Sequence, residues 1–308
     1  MKKIYTTALA VLVAGILWSL AGVIGLYVSP DAHYQKNEEI AKEFGARPGD
    51  YFGFIAFGDN HAGLVFNDSS TVKMIDRMNR EDRFRKLPID FALALGDVTF
   101  RGSAWDYRIY NRIRAAIKYP VVSAVGNHDD DHGRELYGKN VGMSEYAFSC
   151  RNSYFIILDN AINDISDTQF TWFEEELKKS SGYAHRFVAI HKNPFSPYLQ
   201  SWYRPGLSAW SRRFMKLCEE HKVDIVFSGH EHMFHEGVFN GVRYLTSGGG
   251  GMLTTIPASG GGYLHYLVVR VNGPYVDYEV RKCFPPLWEY LVYYLWKDLF
   301  YTLRDVVM

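Results

Sequence analysis

Gly229-His230-Glu231-His232 follows the apolar run Ile225-Val226-Phe227, which places two imidazoles just past the end of a buried strand. Gly58-Asp59-Asn60-His61, Gly96-Asp97 and Gly126-Asn127-His128-Asp129 stand in the same place relative to their own apolar runs. His191 ends a further run, Phe187-Val188-Ala189-Ile190. Oxygen donors suit hard cations, and imidazole nitrogen suits zinc, iron and related metals. Strand ends carrying Asp, Asn and His therefore point to one metal site at one edge of a sheet. Two metals roughly 3.5–4 Å apart can share a hydroxide that attacks phosphorus in line while they hold the ester oxygens. One aspartate can bridge such a pair, each of its oxygens taking one metal. Taken singly, Asp59, Asp97 and Asn127 are explained as well by turns or helix caps, since each follows a glycine. Taken with four matching histidines, they are not.

The elements that position these residues alternate in type. Candidate strands are 52–58, 91–96, 121–125, 153–159, 186–191, 224–228, 242–247, 263–271 and 275–281. Candidate helices are 71–86, 103–118, 168–180 and 207–222. Apolar runs alternating with helical patterns indicate an α/β domain with buried strands. The last strands have no helices between them, and Asn272-Gly273 marks a hairpin, so one sheet is expected to be partly antiparallel. Ser247-Gly248-Gly249-Gly250-Gly251 and Ser259-Gly260-Gly261-Gly262 fit either a backbone approaching the site or a flexible loop.

In order along the chain, Asp59-x-His61, Gly96-Asp97, Gly126-Asn127-His128-Asp129, His191 and Gly229-His230-x-His232 resemble the calcineurin-like metallophosphoesterase superfamily over residues 52–250. The resemblance implies a four-layer αββα sandwich, with two mixed sheets flanked by helices and a two-metal centre at the strand ends. It implies that Asp59, His61 and His232 bind the first metal, and that Asn127, His191 and His230 bind the second. Asp97 would bridge them. His128 would face the leaving group as acid or charge stabiliser, and Asp129 would orient its imidazole. Purple acid phosphatases carry a tyrosine three residues after the bridging aspartate and lack a histidine at the place of His61. Here the tyrosine position is Phe100. The implied metals are two ions per chain, with manganese, iron and zinc open. The implied activity is phosphoester hydrolysis, of monoesters or diesters. The alternative is a non-catalytic, metal-binding, membrane-associated scaffold, but loss of turnover usually leaves a gap in the ligand set and none is present.

The 308 residues, 47% hydrophobic and 22% charged, suffice for one large domain and an appendage. Formal net charge is zero and no long basic run occurs, so nucleic acid is not an expected partner. Cys150, Cys218 and Cys283 form no C-x-x-C pair and are expected as buried thiols, with one disulfide left open outside the cytoplasm. His33, His132, His185, His221, His235 and His265 have no motif partner, and Arg101 and Arg134 are assigned no role.

Lys2 and Lys3 precede an uncharged apolar stretch from Ile4 to Val28, long enough to span a bilayer as a helix. It is longer than a signal peptide's apolar region, and nothing like Ala-x-Ala stands just before Asp31. A transmembrane signal anchor over 1–28 is expected, with the lysines cytoplasmic and the catalytic domain extracytoplasmic. Residues 29–50 read as a linker with a short helix expected over Glu38–Phe44, 51–284 as the metallophosphoesterase domain, and 285–308 as a C-terminal amphipathic aromatic helix. That last helix fits packing on the domain or contact with the membrane interface, and its Trp and Tyr content favours the interface. The expected partners are the lipid bilayer and a phosphoester at or near it. Oligomeric state is not legible.

Overall fold

Phe52, Phe54 and Ala56 alternate with Ile55 and Phe57 along β1 (Tyr51–Phe57), and the two sets enter different cores. β2 (Ile89–Leu95) repeats this, with Phe91, Leu93 and Leu95 on one side and Ala92 and Ala94 on the other. A strand apolar on both faces needs a layer on each. The computed structural model supplies them; it describes residues 24–31, 34–45, 47–82, 87–162, 164–195, 208–252 and 256–283.

The first sheet adds β3 (Val121–Ala124), β10 (Leu264–Asn272) and β11 (Tyr275–Cys283), in the order β11-β10-β1-β2-β3. The second holds β4 (Tyr146–Cys150), β5 (Ser153–Ile157), β6 (His185–Ala189), β7 (Ile225–Ser228), β8 (Phe234–Phe239) and β9 (Val242–Ser247), in the order β4-β5-β6-β7-β9-β8. Both are mixed. β1, β2 and β3 run parallel, as do β5, β6, β7 and β9, while β10, β11, β4 and β8 pair antiparallel. The sheets face each other across a core that includes Phe54, Phe91, Phe155, Phe187 and Phe227. On the outer face of the first sheet lie α2 (Val65–Met78) and α3 (Ala104–Ala116), through Met74, Met78, Tyr107, Tyr110 and Ile113. On the outer face of the second lie α4 (Asp167–Lys179) and α5 (Ala209–Glu220), through Phe170, Phe173, Leu177, Phe214 and Leu217. Two mixed sheets flanked by helices agree with the expected sandwich.

Several sequence expectations change. The short helix expected in the linker is present as α1 (Asn37–Phe44), but it is packed into the domain, burying Ile40 and Phe44 in the core between the sheets. The fully buried Asn37 amide pairs with an edge-strand residue, Oδ1 accepting from Ser123 N (3.0 Å) and Nδ2 donating to Ser123 O (2.9 Å). It occupies the place a further strand would take beside β3. β4 and β8 were not expected as strands; they are the two edges of the second sheet, β4 alternating buried with half-buried residues and β8 largely exposed, so neither reads as a continuous apolar run. No described helix is long and apolar enough to cross a membrane. Most of the expected anchor, residues 1–23, lies outside the described residues, as do 284–308 with the expected amphipathic helix. Cys150 and Cys218 are buried free thiols and Cys283 is a partly exposed one.

Candidate metal centre

Parallel strands that start together also end together, and the crevice beyond their carboxyl ends is where α/β sheets collect ligands. Asp59 and His61 follow β1, Asp97 follows β2, and Asn127 and His128 follow β3. His191 follows β6, and His230 and His232 follow β7. Stacking the two sheets then brings both sets of strand ends together.

The side chains converge as two groups. In the first, His61 Nε2 faces His232 Nε2 at 3.3 Å, and His232 Nε2 lies 3.6 Å from Asp59 Oδ1. In the second, His191 Nε2 lies 3.2 Å from Asn127 Oδ1 and 3.3 Å from His230 Nδ1. Asp97 Oδ2 stands between them, 3.8 Å from His61 Nε2 and 3.4 Å from His191 Nε2. Its other oxygen, Oδ1, accepts the backbone N–H of His128 (2.8 Å). Of the two Asp97 oxygens, Oδ2 is the one within 4 Å of a histidine from each group.

Backbone strain is concentrated here. Asp59 (φ 61°), His61 (φ 46°), Asp97 (φ 48°) and His230 (φ 67°) all lie in the left-handed region, which side-chain-bearing residues seldom occupy. Such conformations cost on the order of 1–3 kcal/mol each and persist where surrounding contacts over-determine them. Those contacts are close. A Cβ on Gly126 would meet Asp97 Oδ1 at 2.2 Å, and one on Gly248 would meet Asp59 Oδ2 at 2.9 Å. Gly250 N donates to Gly58 O (2.7 Å). The glycine-dense segment after β9 is thus backbone packed under the metal-site loops.

The electrostatics suit a cation. Burial pushes the His61 imidazole down to about 3, against the pull of Asp97. Burial likewise takes His230 and His232 down to about 4. These rings are neutral near pH 7, so each has a nitrogen lone pair that a cation can take. His61 Nδ1 is also buried with no hydrogen-bond partner among the described residues. His191 behaves oppositely: burial opposes its charge, but Asp97, helped by Asp59 and the Leu95 carbonyl, outweighs burial and raises it to about 9. Asp97 is in turn held below the usual carboxylate range against burial, chiefly by His191. Two groups of imidazole and oxygen donors sharing a carboxylate fit a pair of manganese, iron or zinc ions.

A proton count follows from His191. Without metal its ion pair with Asp97 stabilises the fold below the ordinary imidazole range, and that contribution is lost as pH rises through about 9. Metal must displace the proton. Loading metal near pH 7 is expected to release about one proton from His191, falling away as pH rises through about 9. Calorimetric titration in buffers of different ionisation enthalpy measures it; a proton yield independent of pH across that range would refute the assignment.

One residue beside the site differs from the sequence reading. Asp129 does not orient His128. Its buried carboxylate accepts from Gly126 N (2.8 Å), Val98 N (3.2 Å), Thr99 N (2.8 Å) and Thr99 Oγ1 (2.7 Å), tying the loop after β3 to the loop after β2. The His128 ring is oriented instead by Phe100 O, 2.9 Å from Nδ1. Arg134 is engaged with Asp130 and Asp159.

Asn160 carried no sequence signal, because it acts on backbone atoms far along the chain. Its Oδ1 accepts from His191 N (2.9 Å) and Lys192 N (3.0 Å), and its Nδ2 donates to Lys192 O (2.7 Å). Asn160→Ala removes all three bonds, each worth about 1 kcal/mol. The metal held by the His191 group should bind about 10–100-fold more weakly. Asn160→Asp keeps both acceptor bonds and should lose less. Stepwise metal titration of stripped protein checks this, and equal weakening of both metals would contradict it.

The family model for the calcineurin-like phosphoesterase matches residues 52–234. The chain is similar to the 3',5'-cyclic adenosine monophosphate phosphodiesterase CpdA of Pseudomonas aeruginosa, 26% identical over 199 residues, covering 62% of this chain and 71% of that protein. Among solved structures it is similar to the purple acid phosphatase PPD1 from yellow lupin (Lupinus luteus) seeds, with 16% identity, TM-score 0.59 and coverage of 78% of this chain. This chain spans about half of that one, 52%. It is also similar to GAP50, the anchor in the inner membrane complex of Plasmodium, with 14% identity, TM-score 0.58, and coverage of 76% of this chain and 85% of that one. These structural likenesses are of fold.

Proposed function

The chain belongs to the calcineurin-like phosphoesterase family, and from that premise we propose that it is a metal-dependent phosphodiesterase held at a membrane. The family uses a dinuclear metal centre. The observation that carries the proposal is the position of Asp97 Oδ2 between two complete donor groups, 3.8 Å from His61 and 3.4 Å from His191. When bound, the metals supply Lewis acidity toward the ester oxygens and activate water for attack on phosphorus. Asp59, His61 and His232 hold the first, and Asn127, His191 and His230 hold the second. His128, partly exposed beside His61, donates a proton to the departing alkoxide.

Similarity to a cyclic-nucleotide phosphodiesterase supports a diester substrate. The uncharged stretch from Ile4 to Val28 supports a single-pass anchor with the catalytic domain on the extracytoplasmic side. Protease access to the domain in intact cells tests that orientation, and the mass of the native N-terminus tests retention of the anchor.

The deciding experiment uses metal-stripped full-length protein refilled with manganese, iron or zinc. Substrates are a bis-aryl phosphate, an aryl phosphate and cyclic AMP. Faster turnover of diesters is expected. Turnover of the monoester alone would make the chain a phosphatase, and two bound metals with no turnover would make it a scaffold.

A further inference from the structure

Residues 24–31 and 34–36 pack on the helices that cover the first sheet and are called the arm. The arm begins with a helical stretch, 24–28, whose Leu26 is buried in the same apolar cluster as side chains of α2 and α3. Arg112 on α3 holds its end, Nη1 donating to the carbonyls of Leu26 (3.2 Å) and Tyr27 (2.7 Å) while Nη2 pairs with Asp31 (3.3 Å). The Tyr27 ring meets Trp105 at 5.7 Å between centroids. Further on, Tyr34 stacks on the Arg114 guanidinium at 4.1 Å. The arm is therefore gripped along α3.

One contact reaches beyond the helix layer. Tyr27 Oη donates to Asp68 Oδ2 at 2.5 Å. Asp68 is fully buried, and both its oxygens also accept the Gly63 N–H, each at 3.3 Å. Gly63 lies two residues after His61 and has φ 102°; a Cβ there would meet Asp106 Oδ1 at 2.1 Å. Asp106 Oδ2 in turn accepts from Arg101 N (3.1 Å) and Ser103 N (3.2 Å), in the loop that orients His128 through Phe100 O. Two buried carboxylates thus sit under the loop carrying His61, and Tyr27 is the hydroxyl donor to one of them.

We propose that Tyr27 is a positioning residue, a latch that acts through Asp68 and Gly63 to hold the His61 loop, so that the first metal position is completed only when the N-terminal arm is docked. The proposal rests on the assignment of Asp59, His61 and His232 as ligands of one metal. Its physical basis is a buried carboxylate, costly unless well served by donors. The Gly63 N–H bonds are long, and the Tyr27 hydroxyl supplies the short one. Burial already pushes Asp68 up to about 7, against the opposing pull of Tyr27 and Gly63. Without the hydroxyl, Asp68 must turn toward another donor or toward water, and Gly63 moves with it.

The test uses the full chain in detergent and the variant Tyr27→Phe, which keeps the ring against Trp105 and removes only the hydroxyl. Two readouts are taken. Amide exchange at Gly63 in metal-free protein should quicken in the variant. Manganese titration of stripped protein should show one of two metals bound about tenfold more weakly and the other unchanged. Arg112→Gln, which releases the arm without touching Asp68, should act in the same direction. The latch is overturned if Gly63 exchange and both affinities match the unsubstituted protein while only the melting temperature falls. It is overturned equally if both metals weaken together. Failure of the unsubstituted chain to take up two metals would instead refute the ligand assignment, and the exchange measurement would still judge the latch.

Discussion

Asp97→Asn is expected to leave a folded protein that binds neither metal tightly and turns over at least about 10³-fold more slowly, since metals contribute several kcal/mol of charge stabilisation. The geometry sets the outcome. Oδ2 is the atom that both donor groups share, 3.8 Å from His61 Nε2 and 3.4 Å from His191 Nε2. An amide can still accept the His128 N–H with its oxygen, as Oδ1 does at 2.8 Å. Its nitrogen then takes the place of Oδ2 and has no lone pair to offer a cation. His191 also loses the carboxylate that raises it to about 9, so the variant loses the proton release described above. His61→Ala, by contrast, removes one ligand from one group and should leave the other metal in place. Metal analysis of the two variants, loaded in excess and desalted together, separates a bridging role from a local one. Two tightly held metals in Asp97→Asn would end the bridging assignment.

How much of this site was legible in the sequence depends on how each residue acts. Asp59, His61, Asp97, Asn127, His191, His230 and His232 act through their own side chains from the ends of apolar runs. Parallel pairing of β1, β2 and β3, and of β6 with β7, gathers those ends without further information. Asp129 looked like a partner for His128 because it is adjacent in sequence. The chain enters a short 3-10 turn at His128–Asp130, and the carboxylate is drawn to the amides of Gly126, Val98 and Thr99. Asn160 and Tyr27 were silent because each serves backbone or carboxylate groups tens of residues away, and hydrogen bonding to a main-chain amide leaves no motif. The same holds for Asn37, which turned a supposed linker into part of the sandwich by pairing with Ser123.

His128→Ala should keep both metals and lose turnover by about 10²–10⁴, the range for removing a positioned general acid. Metal binding is spared because the contact that His128 makes with Asp97 Oδ1 comes from its backbone N–H, which alanine retains. The Asp129 clamp on the surrounding loops is also untouched. What is lost is an imidazole held with its centroid 4.8 Å from that of His61, its Nδ1 fixed 2.9 Å from Phe100 O, and its side chain 37% exposed. With Nδ1 donating to that carbonyl, Nε2 is the nitrogen left to meet substrate. Protonated on both nitrogens, the ring keeps Nδ1–H on the carbonyl and can give its Nε2 proton to a departing alkoxide, ending neutral. The deficit should therefore be largest for alkyl esters and shrink for aryl esters with acidic leaving groups, which depart with little help. A competing arrangement is available, since His61, Asp97 and His128 also present donor atoms within 4.8 Å of one another. Were His128 a ligand, its alanine variant would lose a metal and slow every substrate alike. Metal content and the dependence of rate on leaving-group pKa, measured on the same sample, decide between the two.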